Sequence, residues 1–185
     1  MVYRGERGDT LVEVLMAIVI MSVVIVGAIT MTSRGLGAVQ IALEHTQVRT
    51  STNSQIELLQ YLRDEYVRND QSANATVWRS IVTDNNQTAS AYSQTCEVTA
   101  GKESGAFYLS RTGTTITKQA FNSTLKPATV AEPGTGMWIE AEKSPNTIQP
   151  GYIDFVVRSC WQASGAGGEQ RVVTAIRLYD PYGIH

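Results

Sequence analysis

The chain of 185 residues has few of the residues that most often build active sites and metal centres. It contains two cysteines and two histidines, and 17% of its residues are charged. His45 and His185 lie far apart in the sequence, and neither is near a C-x-x-C pattern. A zinc site is therefore not predicted. No histidine stands in the sequence where it would serve a nucleophile or an acid–base pair. The composition argues against an enzyme and predicts neither a metal nor another cofactor.

An excess of positive charge is also missing. Fifteen Lys and Arg residues against seventeen Asp and Glu residues give a formal net charge of −2. Strong binding to a phosphate backbone needs clustered cations, and the sequence contains no basic run. The charge balance gives no reason to expect a nucleic-acid-binding protein.

One long segment lacks charge altogether. The twenty residues from Val14 to Ser33 carry none, and as a helix they are long enough to span a hydrocarbon core of about 30 Å. The alternative is a cleaved secretory signal with its cleavage site near Gly35-Leu36-Gly37. Such signals have a shorter apolar region of roughly 7–15 residues, so a membrane span is favoured.

Positive residues set the expected orientation of this span. Arg4 and Arg7 precede it, which favours a cytoplasmic amino terminus and places the chain after Arg34 outside. Cys96 and Cys160 then lie outside the cytoplasm, where a lone pair of cysteines most simply forms a disulfide. That bond would close a long loop, worth about 4 kcal/mol in the chain-entropy model.

Glu13, at the start of the apolar run, has two interpretations. In the first, Thr10-Leu11-Val12-Glu13 is a capping box that starts a helix at the membrane edge. The second depends on the whole stretch RGDTLVEV, which begins at Arg7: a basic residue, Gly8, a polar residue, then Glu13 and an apolar run. This pattern resembles the class III signal of type IV prepilins and pseudopilins.

The resemblance implies that a prepilin peptidase cuts after Gly8 and methylates the new amine of Asp9. Glu13 would then be the fifth mature residue, where its carboxylate compensates that amine within one subunit or between axially staggered neighbours. The chain departs from the family at Asp9, where most members have Phe or Met. Further partners implied are other pilin subunits and a membrane assembly platform driven by a cytoplasmic ATPase.

The resemblance also implies a structural function, as a filament subunit that is first a single-pass membrane protein and later lies at the cell surface. The turn-rich head favours a minor subunit. Two alternatives remain: a pseudopilin of a secretion or DNA-uptake system, and a single-span anchored binding protein that never polymerises. An adhesion target is not indicated.

The expected fold is α+β, with one long helix packed against an antiparallel sheet. No proline occurs before Pro127, and the helix is predicted from near Asp9 to about Val67. Its amphipathic part has an apolar stripe at Ile56, Leu59, Leu62 and Tyr66. Four parts are predicted: a leader at 1–8, a transmembrane and filament-core helix at 9–33, its amphipathic continuation at 34–68, and an extracellular β-rich head at 69–185. Strands are predicted at 106–111, 114–118, 137–142, 152–161 and 170–179.

Three glycines fall inside the predicted helix. Gly27, Gly35 and Gly37 each cost about 1 kcal/mol relative to alanine. They are explained by close packing between membrane helices or by a need for the helix to bend during assembly. In the second case the weak point is at Gly35-Leu36-Gly37.

The remaining candidates concern the head. An exposed set of Trp78, Trp138 and Trp161 would suit an adhesive or DNA-contacting surface, but a core position is favoured for Trp161. Trp138 is expected at a loop edge. Residues 78–82 are predicted as a short strand or a helical turn, 84–86 as a surface turn without calcium-loop spacing, and 165–168 as a hairpin connection. Asn74, Asn86 and Asn122 match glycosylation sequences, which matter only in a suitable secretory system.

Overall fold

The computed structural model describes residues 9–83, 96, 105–121, 130–143, 151–164 and 168–180. These residues form two helices, α1 (Asp9–Arg68) and α2 (Ala73–Thr83), and six strands. The strands are β1 (Phe107–Thr112), β2 (Thr115–Ala120), β3 (Glu132–Pro133), β4 (Gly136–Lys143), β5 (Gly151–Gln162) and β6 (Glu169–Asp180). The predicted α+β class is confirmed. The leader at 1–8 and the predicted turn at 84–86 lie outside the described residues.

The chain divides into two compact units between Ala42 and Leu43. The described part of the first unit is the amino-terminal portion of α1. The second unit contains the rest of α1, α2 and the sheet. The functional boundaries predicted after residues 8, 33 and 68 remain predictions.

The strands form one sheet in the order β2-β1-β4-β5-β6, with the short β3 paired in parallel to β4. The other pairs are antiparallel. The predicted hairpin at β1 and β2 is present, and β5 pairs with β6 from Gly151 opposite Asp180 to Gln162 opposite Glu169. In contrast, β1 meets β4 at one position, Phe107 opposite Ile139. Beyond Phe107, the edge of β1 that faces β4 is therefore not paired with that strand.

The main core of the second unit lies between α1 and one face of the sheet. The predicted helix stripe is buried at Leu59, Leu62 and Tyr66, and Ile56 is partly buried beside them. From the sheet, Phe155 and Val157 of β5 belong to the same cluster. Burial of apolar surface on this scale is the main stabilising contribution to such a unit.

Two features of local structure go beyond what the sequence patterns predicted. Of the two alternatives for residues 78–82, the strand is wrong: they belong to the eleven-residue helix α2, in which Trp78 and Ile81 point into the core. The second face of β5, which carries Asp154, Val156 and Arg158, is buried at Val156 and Arg158. Alternation within one strand does not reveal that a second layer covers the other face.

That second face carries its own small cluster. Trp138 of β4, expected at a loop edge, is buried there and stacks on Phe121 with ring centroids 4.8 Å apart. Cys160 belongs to the same cluster, and Cys96 packs against it. Because Trp78 and Trp161 are also buried, the three tryptophans do not form an exposed adhesive or DNA-contacting surface.

Candidate functional site

The amino-terminal portion of α1 has an uncovered apolar surface. Every large hydrophobic residue from Leu11 to Met31 is exposed, from 48% at Ile25 to 78% at Met31. The most apolar 18-residue window has a mean hydropathy of 2.8 and no buried residue. By length and composition, α1 is the one helix among the described residues that is able to cross a membrane.

Hydroxyl groups within this surface bond to the helix itself. Ser22 Oγ donates to the Ile18 carbonyl at 2.7 Å, and Thr32 Oγ1 donates to the Ala28 carbonyl at 2.9 Å. These bonds satisfy donors that would otherwise be exposed to hydrocarbon. The polar residues in the run are therefore compatible with a membrane or a helix bundle around it.

Glu13 lies in this exposed surface, five residues after Gly8. No other acidic or basic residue occurs between it and Arg34, and no described residue forms an ion pair with it, so its carboxylate stands at the start of a long uncharged stretch of α1. Gly8 and the side chains of Asp9 and Thr10 lie outside the described part. The structure describes α1 from Asp9 onward, so both interpretations of Glu13, the capping box and the prepilin signal, remain predictions.

The three helix glycines have open surroundings. A Cβ atom built at Gly27, Gly35 or Gly37 would meet nothing within 4 Å, the helix's own nearby backbone aside. Packing within the described chain does not explain why these positions lack a side chain. The two interpretations left are close packing against another molecule and helix flexibility.

The second unit holds its portion of α1 through three buried polar side chains that the sequence did not reveal. The first is Glu44, which is 8% exposed. Trp161 Nε1 donates to its Oε2 at 3.2 Å, and the Ser164 amide donates to its Oε1 at 3.1 Å. Hydrogen bonds from Ser164 are the main cause that lowers the pKa of Glu44; desolvation opposes them, while Trp161 and His45 add to the lowering.

The other two lie further along the same stripe. Thr52 Oγ1 and Ser159 Oγ share a buried hydrogen bond of 3.0 Å. Gln55 accepts from the Leu109 amide at 2.9 Å and donates to the Leu109 carbonyl at 3.0 Å. The Gln55 amide thus replaces a neighbouring strand at the part of β1 that β4 does not cover.

A second amide binds the same hairpin from α2. Asn74 accepts from the Ile116 amide at 3.1 Å and donates to the Thr114 carbonyl at 3.2 Å. Its side chain is therefore engaged in the fold. The glycosylation matches at Asn86 and Asn122 lie outside the described residues.

The sequence contained a partial signal for these contacts. Glu44, Val48, Thr52, Gln55 and Leu59 follow one another at steps of three and four residues, so the polar members lie on the buried stripe. Their partners on β1 and β5 are more than fifty residues away and carry no sequence signal.

The disulfide that the sequence predicts is present between Cys96 and Cys160, whose Cα atoms are 5.7 Å apart. Cys160 lies in β5 beside Ser159 and Trp161. The bond therefore attaches a distant segment to the strand that also receives α1. Among the described residues no group of three or more His, Cys, Asp or Glu side chains could hold a metal ion.

Comparison with known proteins gives one match. Residues 3–29 match the family model of the prokaryotic N-terminal methylation motif. Neither the curated proteins nor the solved structures give a significant match. The match contains Gly8, Asp9, Glu13 and Gly27, and it ends inside the exposed apolar portion of α1. With this motif followed by a long apolar helix and an α+β second unit, the chain fits a type IV pilin-like protein of the kind processed by prepilin peptidase.

Proposed function

We propose that the chain is a minor structural subunit of a type IV pilus-like filament. Prepilin peptidase cuts after Gly8 and methylates Asp9, and the first portion of α1 leaves the membrane to pack among other pilin subunits. The assembly platform in the membrane is a further partner. The protein is single-pass before assembly and part of a cell-surface filament afterwards, and its role is structural, not enzymatic.

The observation that carries this proposal is the carboxylate of Glu13 at the start of an uncovered, uncharged apolar helix, with no ion-pair partner among the described residues. An unpaired charge at bilayer depth is costly, so a partner cation gives a strong preference for one arrangement. Cleavage after Gly8 creates such a cation one helical turn away, at the amine of Asp9. Pairing between that amine and Glu13 of an adjacent subunit would set the register of neighbouring helices.

The proposal is tested by the mature amino terminus and by one substitution. Mass spectrometry of protein from the native membrane and surface fractions is expected to find a chain that begins at Asp9 with an added methyl group. Glu13→Ala is expected to leave membrane insertion intact and to lower the amount in sheared surface filaments by roughly tenfold or more, as for a lost buried charge pair.

Ser22→Ala is the matched control, because it changes a small residue on the same apolar surface and removes no charge. A chain that retains Arg7 and Gly8 would contradict prepilin processing and favour an anchored, non-polymerising protein. Processing followed by normal filament incorporation of Glu13→Ala would remove the register role of Glu13. Recovery of the processed chain only in a secretion or DNA-uptake complex would favour the pseudopilin alternative.

A further inference from the structure

The sheet of the second unit ends in two outer strands, the six-residue β2 and the twelve-residue β6. β6 pairs with β5 along its whole length without a bulge, and it contains no proline. Bulges, prolines and short length are devices that stop an edge strand from pairing with another chain. β6 has none of these three devices.

One hydrogen bond shows which backbone groups of β6 point away from β5. At the loop end of the pair, the Ala163 amide donates to the Gly168 carbonyl at 2.9 Å. Hydrogen-bonded and non-hydrogen-bonded pairs alternate in an antiparallel ladder. Even-numbered residues of β6 therefore bond to β5, and odd-numbered residues turn their N–H and C=O groups outward. The same count from the bond between Phe121 and Ala106 turns the Ile116 amide of β2 outward.

The fold closes two other open strand edges with side-chain amides. Gln55 binds the amide and the carbonyl of Leu109 on β1, and Asn74 binds the outward Ile116 amide of β2. Within the described ranges, no such bond reaches the outward backbone groups of β6 between residues 171 and 177. This edge is therefore available to a partner strand.

The side chains of the same odd-numbered residues lie on the sheet face away from α1. Five of them are exposed along this edge: Glu169, Arg171, Val173, Ala175 and Arg177. Arg177 donates to both carboxylate oxygens of Asp154, at 2.7 and 2.8 Å, so its charge is neutralised within the chain. Glu169 and Arg171 have no ion-pair partner among the described residues. From residue 169 onward, the edge thus presents a negative charge, a positive charge and two apolar side chains.

A second copy of β6 does not complement this order. When Glu169 of one copy lies opposite Arg177 of the other, the antiparallel register is fixed. Arg171 then lies opposite Ala175 and has no carboxylate to contact. The register that puts Glu169 opposite Arg171 joins only the first few residues of each strand. The charges therefore favour a different chain as the occupant.

We propose that the outer edge of β6 binds an extended segment of a different protein as an added antiparallel strand. The segment has a carboxylate opposite Arg171, a cation opposite Glu169 and apolar residues opposite Val173 and Ala175. Backbone hydrogen bonds supply the attraction, and the side chains select the register and the direction. This contact goes beyond filament assembly through α1 and gives the second unit a partner of its own.

Two acetylated and amidated peptides of identical composition test this edge on the full-length protein in detergent. The first, Thr-Val-Thr-Val-Thr-Glu-Thr-Lys, places its glutamate opposite Arg171 and its lysine opposite Glu169 when it pairs antiparallel. The second peptide exchanges the glutamate and the lysine. The first is expected to slow hydrogen exchange at the outward amides of Arg171, Val173 and Ala175. The second is expected to need a roughly fivefold higher concentration, because two exposed attractions become repulsions.

Variants of β6 separate the charge pattern from the backbone contact. Glu169→Lys with Arg171→Glu is expected to reverse the preference between the peptides, whereas Arg49→Glu on the exposed part of α1 is expected to preserve it. Val173→Pro removes one outward N–H and no bond to β5, and proline is tolerated at such edge positions. It is expected to abolish protection by the first peptide, and Val173→Thr, which keeps the N–H, is its control. Should Val173→Pro fail to fold, the charge exchange still decides.

Each other outcome overturns a definite part of the proposal. Outward amides that exchange slowly in the free monomer would mean that the chain itself covers the edge. Protection that rises with protein concentration, together with dimers in light scattering, would make a second copy the occupant. Equal binding of the two peptides would contradict the charge pattern. None of these measurements depends on Glu13 or on cleavage after Gly8, so the filament function is tested separately.

Discussion

Two carboxylates on α1 lie in opposite surroundings. Glu13 is exposed on an apolar surface, whereas Glu44 is buried and receives hydrogen bonds from Trp161 and Ser164. A charge with no ion-pair partner among the described residues suits a partner on a neighbouring subunit, while a charge with fixed donors serves the fold. The surroundings of each carboxylate, and not its residue type, therefore identify Glu13 as a candidate for assembly and Glu44 as a residue that stabilises the fold.

Glu44→Gln is expected to lower the free energy of unfolding at pH 7 by about 1–3 kcal/mol, because the amide loses the charge and cannot accept from all the same donors. The folded-state pKa of Glu44 is lowered from its ordinary value of 4.5. Its contribution is therefore present above about pH 4.5 and is lost as the pH falls through the folded-state pKa. Denaturant titration of the full-length protein in detergent, repeated from pH 7 to pH 3, measures this.

Glu142→Gln is the control for that titration, because Glu142 is exposed at the end of β4. The gap in stability between the wild type and Glu44→Gln should narrow as the solution becomes more acidic, and the gap for Glu142→Gln should stay small throughout. A Glu44 gap that is independent of pH would show that the charged form is not what stabilises this contact.

Among the elements, the β1–β2 hairpin depends on helix side chains to complete its backbone hydrogen bonds. Gln55→Ala would leave the Leu109 amide and carbonyl without their partner in a buried place, at a cost of about 1–3 kcal/mol. Hydrogen exchange of the Leu109 amide is expected to accelerate by more than global destabilisation explains. Gln47→Ala, at an exposed position on the same helix, is the control. Unchanged protection at Leu109 would contradict the role of Gln55.

The elements also differ in how far the sequence predicts them. The periodicity of Leu59, Leu62 and Tyr66 predicts the helix and its buried face, and period-two alternation predicts β5 and β6. For helix α2 the sequence predicts only a short strand or a helical turn at 78–82. Its four buried residues Ala75, Trp78, Ile81 and Val82 follow a polar, turn-rich stretch, which hides the helical periodicity. The burial of Trp138 depends on Phe121 and the cysteine pair, which come together only through tertiary contacts.

At the scale of the whole molecule, the two units differ in what the sequence reveals about their function. The apolar run, Gly8 and Glu13 are contiguous, so a local pattern is enough to predict an assembly helix. The polar anchors of the second unit join Glu44 to Ser164 and Gln55 to Leu109. No spacing rule connects residues so far apart, and these features become visible only in the folded chain.

The disulfide links two parts of the second unit whose cysteines are 64 positions apart in sequence. Closing a loop of that length restricts the unfolded chain, so the double variant Cys96→Ala with Cys160→Ala is expected to lose about 4 kcal/mol of unfolding free energy. Denaturant unfolding of the oxidised wild type, the reduced and alkylated wild type, and the variant measures this loss. The hydrogen bonds of Glu44 and Gln55 do not involve either cysteine. In the double cysteine variant, the protection of the Leu109 amide against hydrogen exchange should therefore fall only as much as the global free energy of unfolding falls. A selective loss of protection at Leu109 would instead mean that the disulfide holds the hairpin itself. A loss of unfolding free energy below about 1 kcal/mol would mean that the unfolded chain gains little freedom when the disulfide is removed.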